Sequence, residues 1–173
     1  MKINGLNSYI IFLLILFSSR SYAKYGEDVS IYSIANGTLI YSYEYSNDEY
    51  VSADYAYELK GRWIKTANWK TFHTSDGYIM LQNAYSSNCL TFYGKGYQAI
   101  EKKCDVNDEN QKIKPVLVST GAVQLTYPLV KDEDICLYNH AGDSSFYVYT
   151  DSCSIKKKYL WSLVPILSDA EES

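Results

Sequence analysis

Apolar and polar residues alternate with a period of two through much of this chain, in short stretches. Val29 to Tyr45 reads VSIYSIANGTLIYSYEY, two alternating runs broken by Asn36-Gly37, and another run resumes at GYIMLQN, Gly77 to Asn83. Alternation sends successive side chains to opposite faces of a strand, and Asn-Gly between two such runs signals a tight hairpin turn. A helical period is scarce. Only SADYAYELK, Ser52 to Lys60, has helix-compatible composition, with Ser52 as its N-cap. Gly, Asn and Asp recur between the short runs, so the pattern predicts an all-β protein.

The first residues depart from this pattern. MKINGLNSYIIFLLILFSSRSYA carries Lys2, the apolar run YIIFLLILF, and Ser21-Tyr22-Ala23 as the small-residue end of a cleavage site. That order predicts a secretory signal peptide over 1–23, because a membrane-spanning helix needs roughly 18 or more apolar residues. Residues 24–173 then form one secreted domain, long enough for a core of its own.

The cysteine-bearing segments repeat. NCLTFYGKGYQAIEKKC, Asn88 to Cys104, is followed nine residues on by Ile113, and ICLYNHAGDSSFYVYTDSC, Ile135 to Cys153, is followed eight residues on by Trp161. Each segment reads Cys-Leu, a turn containing Gly, an alternating strand, Cys, a polar loop and a large apolar residue opening another strand. Cys89 and Cys136 lie 47 residues apart, and the region before Cys89 holds one more unit of that size, without cysteines. Three units of about 50 residues, approximately 29–80, 81–128 and 129–166, with a short C-terminal tail, predict a β-trefoil, a closed architecture that hides its sheet edges. Four cysteines in an exported chain imply disulfides with three alternative pairings, and separations of 15 and 17 residues favour Cys89–Cys104 and Cys136–Cys153. Each closed loop contributes about 3 kcal/mol in the chain-entropy model.

Charge narrows the function classes. Without residues 1–23, 14 basic residues face 20 acidic ones, a net charge of about −6. A nucleic-acid binder carries a basic excess, so nucleic acid is not an expected partner. The run Lys156-Lys157-Lys158 reads first as a solvated turn and second as a phosphate or anionic-lipid contact. His73 and His140 are the only histidines and no C-x-x-C occurs, so neither a metal nor another cofactor is expected. No nucleophile motif appears either, which argues against catalysis; a small secreted hydrolase using His140 is the distant alternative. Asn36-Gly37-Thr38 matches a glycosylation sequon but reads as a turn.

The repeat Cys-Leu…Cys…Gln-x-apolar resembles the ricin-type lectin repeat. From Asp76 to Ile166, DGYIMLQNAYSSNCL, VLVSTGAVQL, DICLYN and LWSLVPI, in that order, resemble the C subunit of cytolethal distending toxins, and less closely the A subunit. SIYSIANGTLI also resembles this family's opening strand pair. The A subunits usually carry a lipid-attached, Pro-rich N-terminal region, whereas this chain has three Pro and no lipid-site Cys. The resemblance implies a non-catalytic binding and delivery subunit of a tripartite toxin. It would form a heterotrimer with a lectin-like A subunit and a DNase I-like B subunit, and help host-cell binding and uptake through a surface glycan or lipid. A free-standing secreted carbohydrate-binding lectin module is the alternative. In this family the N-terminal tail of the C subunit can reach the nuclease; here only Lys24 to Asp28 precede the first expected strand.

Galactose-binding ricin-type repeats place an Asp shortly after Cys-Leu, a hydrogen-bonding residue four before the second Cys and an aromatic two before it. The corresponding residues are Thr91, Ile100 and Lys102, and then Tyr138, Tyr149 and Asp151. The resemblance therefore implies a lost sugar acceptor, with Gln111 and Trp161 as the residual motif positions. The contact candidates are instead Tyr41, Tyr43, Tyr45, Tyr50, Tyr55, Tyr57, Tyr93, Tyr138 and Tyr149, from a total of 19 Tyr. In a strand Tyr41, Tyr43 and Tyr45 share one face, which is either core with hydroxyls at the rim or an exposed stripe at an interface. Leu90 to Lys95, and Val51 to Lys60 through Tyr55, also fit a loose cholesterol-contact pattern.

Overall fold

The computed structural model describes residues 24–45, 48–128, 133–141 and 146–166. The expected signal peptide over 1–23, the start of the third unit at 129 and the end of the tail lie outside them. The strands are β1 (Lys24–Ser33), β2 (Leu39–Tyr45), β3 (Asp48–Asp54), β4 (Asn68–His73), β5 (Ile79–Asn83) and β6 (Asn88–Thr91). They continue as β7 (Ile100–Lys103), β8 (Lys114–Leu117), β9 (Val123–Tyr127), β10 (Ile135–Ala141), β11 (Phe146–Ser152) and β12 (Trp161–Pro165).

The antiparallel pairings close on themselves. β1 pairs β4, β4 pairs β5, and a bridge between Ile79 and Ile113 carries the ring to β8. β8 pairs β9, β9 meets β12 at Val123 and Trp161, and β12 returns to β1. The hairpins β2–β3, β6–β7 and β10–β11 form a second layer and touch one another in turn. Their contacts are Tyr50 with Ile100, Gln98 with Tyr149, and Tyr147 with Ser52. A ring of this kind shields backbone groups that an open sheet would leave at its edges.

The main core fills the space between ring and hairpins. Ile31, Trp69, Leu81, Leu125 and Trp161 come from the ring, and Ile40, Val51, Leu90, Leu137 and Val148 from the hairpins. Fully burying side chains of this size contributes about 1.5–3 kcal/mol each. Two indoles tie the layers together: Trp69 Nε1 donates to the Ile40 carbonyl at 3.2 Å and Trp161 Nε1 to the Leu137 carbonyl at 3.1 Å. The turn between β1 and β2 has Gly37 at φ 75°, the left-handed conformation that Asn-Gly predicted. Asn36 Oδ1 there accepts from Thr38 Oγ1 at 2.9 Å and from Asn139 Nδ2 at 3.0 Å, so the sequon residue serves as a turn and a tie to β10.

One expectation is corrected. Ser52 is not a helix N-cap: it lies in β3, where it faces Tyr41 across the hairpin. Pairing and the burial of Val51 outweigh the modest helix propensity of that segment. The helical turn falls later, in α1 (Arg62–Lys65). Between β4 and β5 the chain reverses at the turn where Thr74 N donates to the Tyr78 carbonyl and Gly77 has φ 87°.

Candidate binding surface

The two disulfides join Cys89 to Cys104 and Cys136 to Cys153, each closing a hairpin and the loop after it. Gln111 works structurally beside the first: its Nε2 donates to the Lys103 carbonyl at 3.0 Å and its Oε1 accepts from Asp105 N at 2.9 Å. The sugar-motif positions of this unit hold no acceptor aimed outward. Thr91 is fully buried and its hydroxyl donates to the Cys89 carbonyl at 2.9 Å, while Lys102 Nζ sits 4.7 Å from the Tyr93 ring centroid.

The third unit fills the corresponding positions with rings. Tyr138 lies 5.2 Å from Tyr159 and 6.2 Å from Tyr149, centroid to centroid. Lys158 Nζ covers this group, 4.3 Å from the Tyr138 ring and 5.1 Å from Tyr159. His140, exposed on β10, packs edge-on against Tyr149 at 5.7 Å, and Tyr147 does so at 6.2 Å. Asp151 accepts from Ser152 N at 2.8 Å and stands 3.8 Å from Lys95 Nζ, so its charge is already engaged. Burial foremost, then Asp151, raises the Tyr138 and Tyr159 hydroxyl pKa values, which keeps these rings neutral. Lysine over ring and ring on ring thus surround the positions that correspond to the ricin-type sugar motif.

The tyrosine stripe of the first unit splits. Tyr41 is 9% exposed in a satellite core with Leu39, Leu59 and Ala67, and burial, then Asp54, pushes its hydroxyl up to about 12. Tyr43 is 37% exposed and lies flat against Trp63 of α1, with Arg62 stacked 4.7 Å over the indole. The side chain of Tyr45 lies outside the described residues. Tyr50 is surface-facing on β3, and Tyr57 is 67% exposed and stacked on half-buried Tyr55, which also meets Phe146 edge-on. Tyr93, on its own loop, is exposed. Of the loose lipid pattern, Leu90 and Val51 point into the core, while Lys95 is paired with Glu133 at 2.7 Å.

Sequence reasoning missed Trp63 and Arg62 as partners of Tyr43, and Lys158 and Tyr159 as the cover over Tyr138. Their one sequence signal is a cation adjoining an aromatic in Arg62-Trp63 and Lys158-Tyr159. His73 is also exposed, at the end of β4 on the lip of a groove, far in the topology from His140. Among the described residues no group of three His, Cys, Asp or Glu could hold a metal ion.

Solved structures that resemble this chain include toxins and a lectin. The Haemophilus ducreyi cytolethal distending toxin matches with a TM-score of 0.67 at 17% identity, over 83% of this chain and 86% of that one. The cytolethal distending toxin of Actinobacillus actinomycetemcomitans matches at 0.65 and 18%, over 83% of this chain and 94% of that one. A Macrolepiota procera ricin B-like lectin, solved in complex with lactose, matches at 0.64 and 15%, over 81% and 96%. At such identities the likeness shows the fold, an all-β arrangement of the ricin B-like kind. No curated protein sequence matches the chain. The model of the cytolethal distending toxin A/C domain family matches residues 28–172, almost the whole described fold, and the chain belongs to that family.

Proposed function

We propose that this chain is the C-type subunit of a tripartite cytolethal distending-type toxin, a non-catalytic binding and delivery part. It is exported through a cleaved leader and assembles with a lectin-like A subunit and a DNase I-like B subunit. The observation that carries this reading is the family match over residues 28–172 in a chain whose lectin-motif positions are filled by its own side chains. A free lectin needs an open sugar site; a subunit whose work is assembly does not. Three β-trefoil units, each a ring segment with its hairpin, are supported by the hairpin contacts Tyr50–Ile100, Gln98–Tyr149 and Tyr147–Ser52.

The exposed rings are the proposed contact surface. Tyr43 with Trp63 and Arg62, and Tyr147 with Tyr149 and His140, combine the residue types that dominate protein interfaces. The first test is the genomic neighbourhood. Adjacent reading frames should encode a DNase I-like protein and a second domain of this fold, and finding neither would remove the toxin-subunit reading while leaving the fold intact. The likeness to a lactose-bound lectin keeps the free-standing lectin as the second reading, and a glycan array on the isolated chain separates the two.

A further inference from the structure

The two disulfides are alike in exposure but differ in what surrounds them. Cys89 and Cys136 are buried, while Cys104 and Cys153 are half-buried. A groove of about 490 Å³, with Phe72 and Val106 among its walls, is lined by Cys89 and Cys104. A second, of about 550 Å³ beside Lys102 and Asp108, also reaches Cys104. Both volumes are in the range of about 300–1,000 Å³ typical of small-molecule sites. Cys136 and Cys153 line neither groove, and Cys136 Sγ packs 3.7 Å from the Thr126 hydroxyl.

Local charge separates the pairs as well. Within two residues along the chain, Lys102, Lys103 and Asp105 flank the first disulfide, whereas Asp134 and Asp151 flank the second. Lys95, 3.8 Å from Asp151, is shared with Glu133 at 2.7 Å, so it does not reverse the acidic balance there. The attacking species in thiol–disulfide exchange is an anionic thiolate, and its rate follows the access and the surroundings of the sulfur. Both favour Cys104.

Cutting this bond would leave its ends in place. Buried Gln111 brackets Cys104: its Nε2 donates to the Lys103 carbonyl at 3.0 Å, and its Oε1 accepts from Asp105 N at 2.9 Å. Cys89 is held independently by the β6–β7 pairing, in which Asn88 faces Lys103 and Leu90 faces Glu101. Two sulfurs kept side by side re-form their bond in an intramolecular reaction, which has a large advantage over attack by an external thiol.

We propose that Cys104 is a reversible thiolation site for a small peptide thiol of the glutathione class, reached through these grooves, with Cys89 as its resolving partner. The incoming thiolate attacks Cys104 Sγ. An S–S bond forms there, the Cys89–Cys104 bond breaks, and the electron pair leaves on Cys89 Sγ, which takes a proton from water. In the reverse step the Cys89 thiolate attacks Cys104 Sγ and expels the small thiolate. A second small thiolate attacking the sulfur of the bound one instead frees Cys104, so that two thiols are oxidised as one disulfide is reduced. The Cys136–Cys153 pair stays closed throughout. The site is independent of the subunit reading and answers only to the thiols around the chain.

The oxidised native chain should be incubated with a graded excess of reduced over oxidised glutathione, acid-quenched, alkylated and peptide-mapped by mass spectrometry. The expected product carries glutathione on Cys104 and an alkyl group on Cys89, and forms about tenfold faster than Cys136–Cys153 opens. Lys103→Glu should slow its formation about threefold. Once free glutathione is removed, the Cys89–Cys104 bond should return, and Gln111→Ala should slow that return about tenfold. The readings on the native chain need no variant, so the site stays testable even if Q111A perturbs the fold. The proposal is overturned if the two disulfides open at equal rates, if Cys136–Cys153 opens first, or if neither opens. An adduct on Cys89 in place of Cys104, or a folded Q111A chain that re-closes as fast as the native one, overturns it too.

Discussion

Tyr43 and Trp63 lie face to face, ring centroids 5.5 Å apart and planes 15° from parallel, although 20 residues of chain separate them. Tyr41 meets both rings edge-on, at 6.1 and 6.2 Å. Their exposures differ, and so should their roles. Tyr41→Ala should cost about 3 kcal/mol by opening a cavity in the satellite core, measured by urea denaturation. Tyr43→Ala should cost only about 0.5–1.5 kcal/mol, the worth of an aromatic pair, yet weaken capture of partner subunits. Equal stability losses would mean that Tyr43 is core.

The indole of Trp161 bridges the ring strand β12 and the hairpin strand β10. Trp161→Phe keeps an aromatic in place but removes the donor to the Leu137 carbonyl. A loss of about 1–3 kcal/mol is expected, from the hydrogen bond and the unfilled volume together. Calorimetric unfolding of the two proteins measures it.

Asp76 and Lys112 set opposite pH limits on the same ion pair. Hydrogen bonds to Lys112 and Thr74 depress the folded Asp76 carboxyl to about 2, so its contribution is present above the unfolded pKa and is lost as pH falls towards 2. Hydrogen bonds to Asp76, then Glu109, raise Lys112 to about 12, so its contribution is present below its unfolded pKa and is lost as pH rises towards 12. Thermal melts should therefore fall at both extremes in the native chain. The Asp76→Asn chain should lose stability less steeply on the acid side.

The rings over the third lectin-motif position make a specific prediction about lactose. Amide resonances of β10 and β11 should not move on addition of lactose, and Tyr138→Asp alone should not change that, since Tyr149, Tyr159 and Lys158 still occupy the space. Lactose-induced shifts centred on Tyr138 and Asp151 would show that the position is open.

Much of the fold was legible because its cause is local. Alternation in Val29 to Tyr45 and an Asn-Gly turn specify a hairpin, and the structure has β1, a turn at Gly37 and β2 there. What failed depends on distant partners. Ser52 belongs to a strand because Tyr41 lies opposite it, and neighbouring Tyr50 pairs with Ile100 from the next hairpin. The tyrosine stripe could not be sorted into buried and exposed because the cover over Tyr41 comes from Leu59, Ala67 and Trp63, beyond a turn. The groove beside His73 was invisible for the same reason: Phe72 and Met80 are partners across the β4–β5 hairpin, but Val106 joins them from the distant loop after Cys104.

Assembly remains the decisive property. The tagged DNase I-like subunit should be used to capture this chain, with and without the A subunit, and with native and Tyr43→Ala forms compared. Stoichiometric co-purification of the native chain when all three are present, reduced for Tyr43→Ala while the fold is retained, is the predicted result. A native chain that stays monomeric in the presence of both partners, yet binds glycans tightly by itself, would instead make it a free-standing lectin.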